Sequence, residues 1–176
     1  MEPVTAYLGI GSNLGHREVN IRSALELLSR DVTLEVCSSI YDTAPWGFHD
    51  QGRFLNCVCR ATTRLEPRAL LKAVKRVEGM VGRRRTFVNG PRTIDVDILL
   101  YGNMVVSEPG LEIPHPRMAR RAFVLVPLEE IAEDLRHPVL GCSVSELARR
   151  LGGGDSGRHG EGVRLWGGPI PVLRIS

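Results

Sequence analysis

Asp95 and Asp97 are the residues whose types and spacing most restrict the chemistry of this chain. In Gly90-Pro91-Arg92-Thr93-Ile94-Asp95-Val96-Asp97-Ile98-Leu99-Leu100, Ile94, Val96, Ile98 and Leu100 alternate with Asp95, Asp97 and Leu99. That period of two predicts a β-strand, and on a strand residues i and i+2 share a face. The two carboxylates therefore stand side by side and repel each other unless a cation lies between them. A hard divalent metal with oxygen ligands meets that need, most often magnesium bridging to phosphates. Arg83, Arg84, Arg85 and Arg92 lie just upstream and suit phosphate oxygens. The combination points to metal-assisted phosphoryl or nucleotidyl transfer. The plainer alternative is an exposed strand end whose acids are ion-paired to the arginines.

A second group of residues suits a flat ligand. Phe54 offers a ring to stack on a planar heterocycle, and Asn56 offers both a donor and an acceptor to its edge. The backbone from Thr43 through Pro45 to Trp46 can complete that edge; core and turn roles are the alternative. His115, between Pro114 and Pro116 and followed by Arg117, Arg120 and Arg121, suits a phosphate, although a lone histidine is more often structural. Gly9-Ile10-Gly11-Ser12-Asn13-Leu14-Gly15 is one residue too long for a dinucleotide fingerprint. No Gly-Lys-Ser/Thr follows it, so it reads as a tight turn shaping the rim of a sheet.

The elements that must position these groups follow from periodicity. Residues 5–11 and 34–41 predict the first two strands, with a helix between them on Ile21, Leu25 and Leu28. Residues 54–63 predict a third strand whose Leu55, Cys57, Cys59 and Ala61 share one face. Pro67 opens a helix with the stripe Leu70, Val74, Val77, Val81, closed by Gly82. After the Asp-x-Asp strand come a turn at Gly102-Asn103, an edge strand at 104–106 and a helix from about 120 to 130. Ser143 to Glu146 forms a capping box for a last helix to Leu151. The order strand, helix, strand, strand, helix, strand is an α+β, ferredoxin-like arrangement. It implies an antiparallel sheet with helices on one face and the active site on the other. Residues 1–151 would be the catalytic domain and 152–176 a flexible Gly-rich tail, with isolated strands at 163–166 and 170–175.

Composition excludes several classes. The 176 residues suit one domain. Their 43% hydrophobic and 24% charged content is that of a soluble protein. No stretch approaches the roughly 18 apolar residues of a membrane helix, and the N-terminus does not read as a signal peptide. Cys37, Cys57, Cys59 and Cys142 lack metal-ligand spacing; Cys57 and Cys59 read as small core residues, and a reducing cytoplasm fits. A net charge of +3 is compatible with a phosphorylated substrate.

Taken in order, several motifs resemble those of the 6-hydroxymethyl-7,8-dihydropterin pyrophosphokinase family over about residues 4–151. They are Gly11-Ser12-Asn13-Leu14, residues 41–47 from Tyr41 to Gly47, Phe54-Leu55-Asn56, Glu78 with Gly82-Arg83, residues 90–97, and Pro114-His115 through Arg121-Ala122-Phe123. The resemblance implies a folate-pathway enzyme that moves the pyrophosphoryl group of ATP to the pterin hydroxymethyl oxygen and releases AMP. It implies Asp95 and Asp97 as ligands of two magnesium ions. It places pterin between Phe54 and Phe123, read by Asn56 and by Thr43, Pro45 and Trp46. Arg83, Arg85, Arg92, His115 and Arg121 would contact ATP, with Glu78 and Ile98 beside it. Arg83, Arg85 and Arg92 would join the aspartates in catalysis. The chain departs from the family pattern at Asn89, where an aromatic often precedes Gly-Pro-Arg, at Pro116, and in the tail. A cytoplasmic monomer without nucleic-acid or membrane partners is the expectation.

Two rival functions are weighed against this one. A magnesium-dependent nucleotidyltransferase also pairs Gly-Ser with Asp-x-Asp, but releases pyrophosphate. A ferredoxin-like RNA-binding module is opposed by the carboxylate pair on the open face and by 5% aromatic content, with no RNP-type signature.

Overall fold

A computed structural model describes residues 2–84, 87–152 and 162–172. Its centre is a six-stranded sheet in the order β5-β1-β4-β3-β8, with β2 also paired to β4. The strands are β1 (Val4–Ser12), β2 (Thr33–Cys37), β3 (Ser39–Thr43), β4 (Phe54–Thr63), β5 (Asp95–Tyr101) and β8 (Val163–Pro169). All of these pairings are antiparallel. Helices α1 (Arg17–Leu28) and α2 (Pro67–Val81) cover one face. There Ile21, Leu25, Leu28, Leu70, Val74 and Val77 pack on Leu8, Ile10, Cys57, Val96 and Ile98 in one buried cluster. Pro67 opens α2 as expected, and Gly82, at φ 99°, closes it in the left-handed conformation that glycine adopts without penalty. That turn matters because Arg83 follows it directly.

Several expectations need correction. The strand expected over 34–41 is two strands, broken at buried Ser38. The Ser38 N–H donates to Val58 O at 2.9 Å, and its hydroxyl accepts from Val58 N–H at 3.0 Å. A side chain thus substitutes for one rung of the ladder, and hydrophobic periodicity does not register that. The expected edge strand at 104–106 is displaced into a separate hairpin, β6 (Val106–Glu108) with β7 (Leu111–Ile113). The helix expected from about 120 begins as a 3-10 turn, Met118–Arg120, and continues as α3 (Ala122–Ala132).

Helices also lie on both faces, not on one. Helix α3 and α4 (Val144–Leu151) place Val124, Leu125, Leu128, Val144 and Leu147 over Tyr7, Val58 and Leu99. Glu130 anchors α3 to β3 by accepting from Ser39 N–H at 2.9 Å, Ser39 Oγ at 2.9 Å and Tyr41 OH at 2.8 Å. The candidate site occupies only the part of this second face that α3 and α4 leave open.

Cysteine usage and the tail differ as well. Cys59 is disulfide-bonded to Cys37, the residue opposite it on β2. It is therefore no independent core thiol, and the argument for a reducing compartment loses its support. Residues 163–169 form no isolated strand. They pair with β3 from Thr43↔Val163 to Ser39↔Pro169, while Val163 and Ile170 are 7% and 6% exposed. The boundary at 151/152 therefore cuts through a sheet. Alternation in 163–169 is poor because this edge strand buries only its first residue.

A chain ending at Leu151 should fold less stably. Loss of Val163 and Ile170 burial alone removes about 3 kcal/mol or more, and the edge of β3 loses its partner. Urea unfolding of the shortened and full chains measures the difference; equal midpoints would mean that β8 contributes nothing.

Candidate active site

The open part of the second face is a cleft lined by Gly9, Gly11, Thr43, Trp46, Phe54, Asn56, Arg92, Asp95, Asp97, Arg121 and Phe123, among others. Gly11 in its floor is glycine for a steric reason: a Cβ there would overlap Asn56 Oδ1. The segment read as a rim-shaping turn is thus largely strand: Gly9, Gly11 and Ser12 all belong to β1.

Asp95 and Asp97 share the cleft face of β5, as their spacing requires, but their surroundings differ. Asp95 accepts from Arg83 Nη1 at 2.6 Å and pairs closely with Arg92 Nη1. Burial pushes its carboxyl up, but Arg92 and Arg83 outweigh burial and hold it below the ordinary carboxylate range. Among the described residues, the cations paired with Asp97 are distant, His115 Nε2 at 3.8 Å and Arg121 Nη1 at 3.9 Å from its Oδ2. Burial, reinforced by Asp95, pushes its carboxyl up. His115 supplies little relief, because burial holds its imidazole below the usual value despite Asp97. Among the described residues, one carboxylate is closely paired and the other is not. Hard oxygen donors, adjacent on one face and short of positive charge, fit a divalent cation.

Behind Asp95 sits Glu78 on α2, 3% exposed. It accepts from Val96 N–H at 2.8 Å on β5 and from Lys75 Nζ at 3.0 Å, and it pairs closely with Arg83. Glu78 therefore fixes Arg83 against Asp95 from outside the cleft. At the other end, Asn56 Nδ2 donates to Thr43 Oγ1 at 2.7 Å, which leaves the edges of both side chains defined beside Phe54. Arg121 lies over the rings of Trp46 and Phe123, at 4.9 Å and 5.4 Å. Its Nε is buried without a hydrogen-bond partner among the described residues.

The structure thus brings Thr43, Trp46, Phe54, Asn56, Arg92, Asp95, Asp97, Arg121 and Phe123 to one cleft. Arg83 reaches it through Asp95, and His115 lies beside Asp97. Pro45 and Glu78 are not on its wall. The Ile98 side chain points into the opposite core. Arg85 lies outside the described residues. Sequence reasoning missed Asn13, which links three loops. Its Nδ2 donates to Gln51 Oε1 at 2.8 Å, its Oδ1 accepts from Arg92 N–H at 2.7 Å, and Gln51 Nε2 donates to Asn89 O at 2.7 Å. An asparagine inside Gly-Ser-Asn-Leu-Gly looks like a turn residue, and only the fold shows what it faces.

Residues 7–133 match the model of the 7,8-dihydro-6-hydroxymethylpterin-pyrophosphokinase family. The chain is similar to the 2-amino-4-hydroxy-6-hydroxymethyldihydropteridine pyrophosphokinases of Aquifex aeolicus and Bacillus subtilis. Identity to the first is 45% over 77% of this chain and 84% of that protein. Identity to the second is 39% over 92% and 89%. A folic acid synthesis protein of Dictyostelium discoideum is 40% identical over 85% of this chain, which spans 23% of that longer protein. In backbone, a triple mutant of Plasmodium falciparum HPPK-DHPS superposes with a TM-score of 0.73 at 15% identity. That match covers 93% of this chain and 47% of the other.

The charge imbalance at Asp97 predicts opposite effects of one substitution on stability and activity. An acid whose folded pKa is raised favours folding below its unfolded pKa, and that contribution is lost as pH rises through the folded pKa. Asp97→Asn should therefore raise the melting temperature of the ligand-free protein at neutral pH, with the gain vanishing in acid, while turnover falls by at least about a hundredfold. Melting curves at the two pH values and a turnover assay test this. A neutral-pH loss of stability would contradict the assignment of Asp97 as the unsatisfied carboxylate.

Proposed function

The chain belongs to the 7,8-dihydro-6-hydroxymethylpterin-pyrophosphokinase family, and we propose that it transfers the pyrophosphoryl group of ATP to the hydroxymethyl oxygen of 6-hydroxymethyl-7,8-dihydropterin, as a step of folate synthesis. The observation that carries this reading is the cleft itself. A carboxylate pair with phosphate-grade arginines stands at one end, and an aromatic slot with an amide edge stands at the other.

The hydroxymethyl oxygen forms a bond to the β-phosphorus while the bond from that phosphorus to the oxygen of AMP breaks. AMP departs with that oxygen, and the hydroxyl proton is lost to solvent or to a basic oxygen of the site. Little of this needs covalent help from protein, so catalysis rests on placement and on charge. Arg83, Arg92, His115 and Arg121 gather the phosphates, and Arg85 joins them. Glu78 acts through Arg83 by fixing its direction, and Ile98 meets the nucleotide through its backbone alone. Phe54 and Phe123 sandwich the pterin, while Asn56, Thr43 and the backbone through Pro45 to Trp46 read its edge. Asp95 and Asp97 would hold magnesium, two ions by the family likeness, which neutralises phosphate charge and polarises the reacting phosphoryl group.

Coarser features of the reading extend to the whole chain. The antiparallel order β5-β1-β4-β3, with β2 and β3 as one interrupted strand, supports a ferredoxin-like core extended by α3, α4 and β8. No described helix is long and apolar enough to cross a membrane, and the use of ATP supports the cytoplasm as its place of action.

Incubation with ATP, magnesium and the hydroxymethyl dihydropterin, followed by mass analysis, should yield AMP and the pterin diphosphate. Release of pyrophosphate with a nucleotidylated product would identify a nucleotidyltransferase and overturn the reading. Phe54→Ala should weaken pterin binding by about 1–3 kcal/mol through lost stacking and leave the affinity for an ATP analogue nearly unchanged. Calorimetry distinguishes this from a structural role, in which both ligands would weaken together.

A further inference from the structure

Gly162 and Val163 lie beyond the span that matches the family, residues 7–133, yet they touch both walls of the aromatic slot. The Gly162 carbonyl accepts from Ala44 N–H at 2.9 Å and from Arg53 Nη2 at 2.9 Å. Ala44 is where the chain leaves β3, and Arg53 is where it enters β4. Both roots of the loop 44–53 are thus tied to one carbonyl of the C-terminal segment. Arg53 also donates to Asp42 O at 3.2 Å and pairs with the Asp42 carboxylate, and Arg17 braces the same corner by donating to Arg53 O at 2.9 Å. That loop carries Ala44 and Trp46 into the cleft and ends against Phe54. On the opposite wall, Val163 joins Tyr41 and Val126 in a small buried cluster, and Phe123 packs against that cluster.

We propose that Gly162 and Val163 are positioning residues that set the width of the slot between Phe54 and Phe123, so that the C-terminal strand governs recognition of the flat heterocycle. The inference rests on the pterin reading given above. A carbonyl held by two donors cannot shift without releasing both roots of the loop, so the slot is organised before the ligand arrives. The backbone at Gly162 has φ 88°, and a Cβ there would stand 2.9 Å from Ala44 Cβ. Any other residue therefore strains the turn and pushes the loop root outward. Between β3 and β5 the sheet interposes β4 and β1, a separation of about 14 Å at ordinary strand spacing. Gly162 and Val163 reach the arginine–aspartate end of the cleft at second hand, through Gln51 and Asn13 to Arg92 and through Trp46 and Phe123 under Arg121, so a nucleotide feels them less than the flat heterocycle does.

The test uses the full chain with Gly162→Ala, Val163→Ala and, as a control on the same strand, Leu165→Ser, whose side chain is 63% exposed. Calorimetry measures 6-hydroxymethylpterin and a non-hydrolysable ATP analogue separately, and melting curves establish that each variant is folded. Gly162→Ala should weaken pterin binding roughly tenfold and Val163→Ala roughly threefold, with nucleotide affinity held within about twofold. In turnover, KM for the pterin should rise while kcat at saturation holds, and the control should match the parent. Val163→Ala carries the test if Gly162→Ala does not fold. Parental pterin affinity in the folded variants overturns the proposal. So does parallel weakening of both ligands, the outcome of a merely structural role. Failure of the parent chain itself to bind pterin would instead remove the functional reading, independently of residues 162 and 163.

Discussion

Placing Asp95 and Asp97 on one face of β5 brings two negative charges close together in a cleft where screening by water is reduced. The protein relieves that repulsion unevenly, and much of the architecture follows from the asymmetry. Asp95 is neutralised by Arg83 and Arg92. Arg83 stands in place because α2 ends at Gly82 and because Glu78 holds it from behind. Glu78 in turn is bonded to the β5 backbone at Val96, so helix, arginine and strand form one closed circuit. Asp97 is left outside that circuit, short of charge and facing the cleft.

The two faces of the sheet divide folding from function less cleanly than an open-faced arrangement would. The α1/α2 face is a continuous apolar core. The other face is shared, with Val58 and Leu99 covered by α3 and α4 while Gly9, Gly11, Phe54 and Asn56 remain in the cleft. The covering helices contribute to the site as well as to burial. Arg121 caps α3 and Phe123 lies in its first turn, so anchoring α3 through Glu130 also fixes the distal wall of the cleft.

Legibility followed the reach of each residue's signal. Period-two alternation in 94–100 and the apolar side of 54–63 correctly placed Asp95, Asp97, Phe54 and Asn56 on one face, because side-chain direction on a strand is a local property. The stripe of α2 and its Pro67 and Gly82 ends were legible for the same reason. The break at Ser38, the Asn13–Gln51–Asn89 chain and the Cys37–Cys59 bond depend on which segments become neighbours. Local pattern carries no trace of that. The pairing of 163–169 is hidden because composition dominates: the glycines around it resemble a linker, yet an edge strand needs few buried side chains when backbone pairing with β3 supplies its hold.

Arg121 and Asp97 show most directly why the cleft is built for ligands and not for its own stability. A structural arginine–carboxylate pair closes to about 2.8 Å and often binds through two parallel hydrogen bonds. Here the groups stop at 3.9 Å, and the buried Arg121 Nε has no hydrogen-bond partner among the described residues. The aromatic faces of Trp46 and Phe123 hold the guanidinium in place without saturating its donors. The fold therefore keeps an undercompensated anion and an underbonded cation side by side and prevents each from satisfying the other. Phosphate oxygens for Arg121 and a hard cation for Asp97 would resolve both deficits at once, so the electrostatics that cost the fold stability would favour a phosphate-bearing ligand that arrives with its cation.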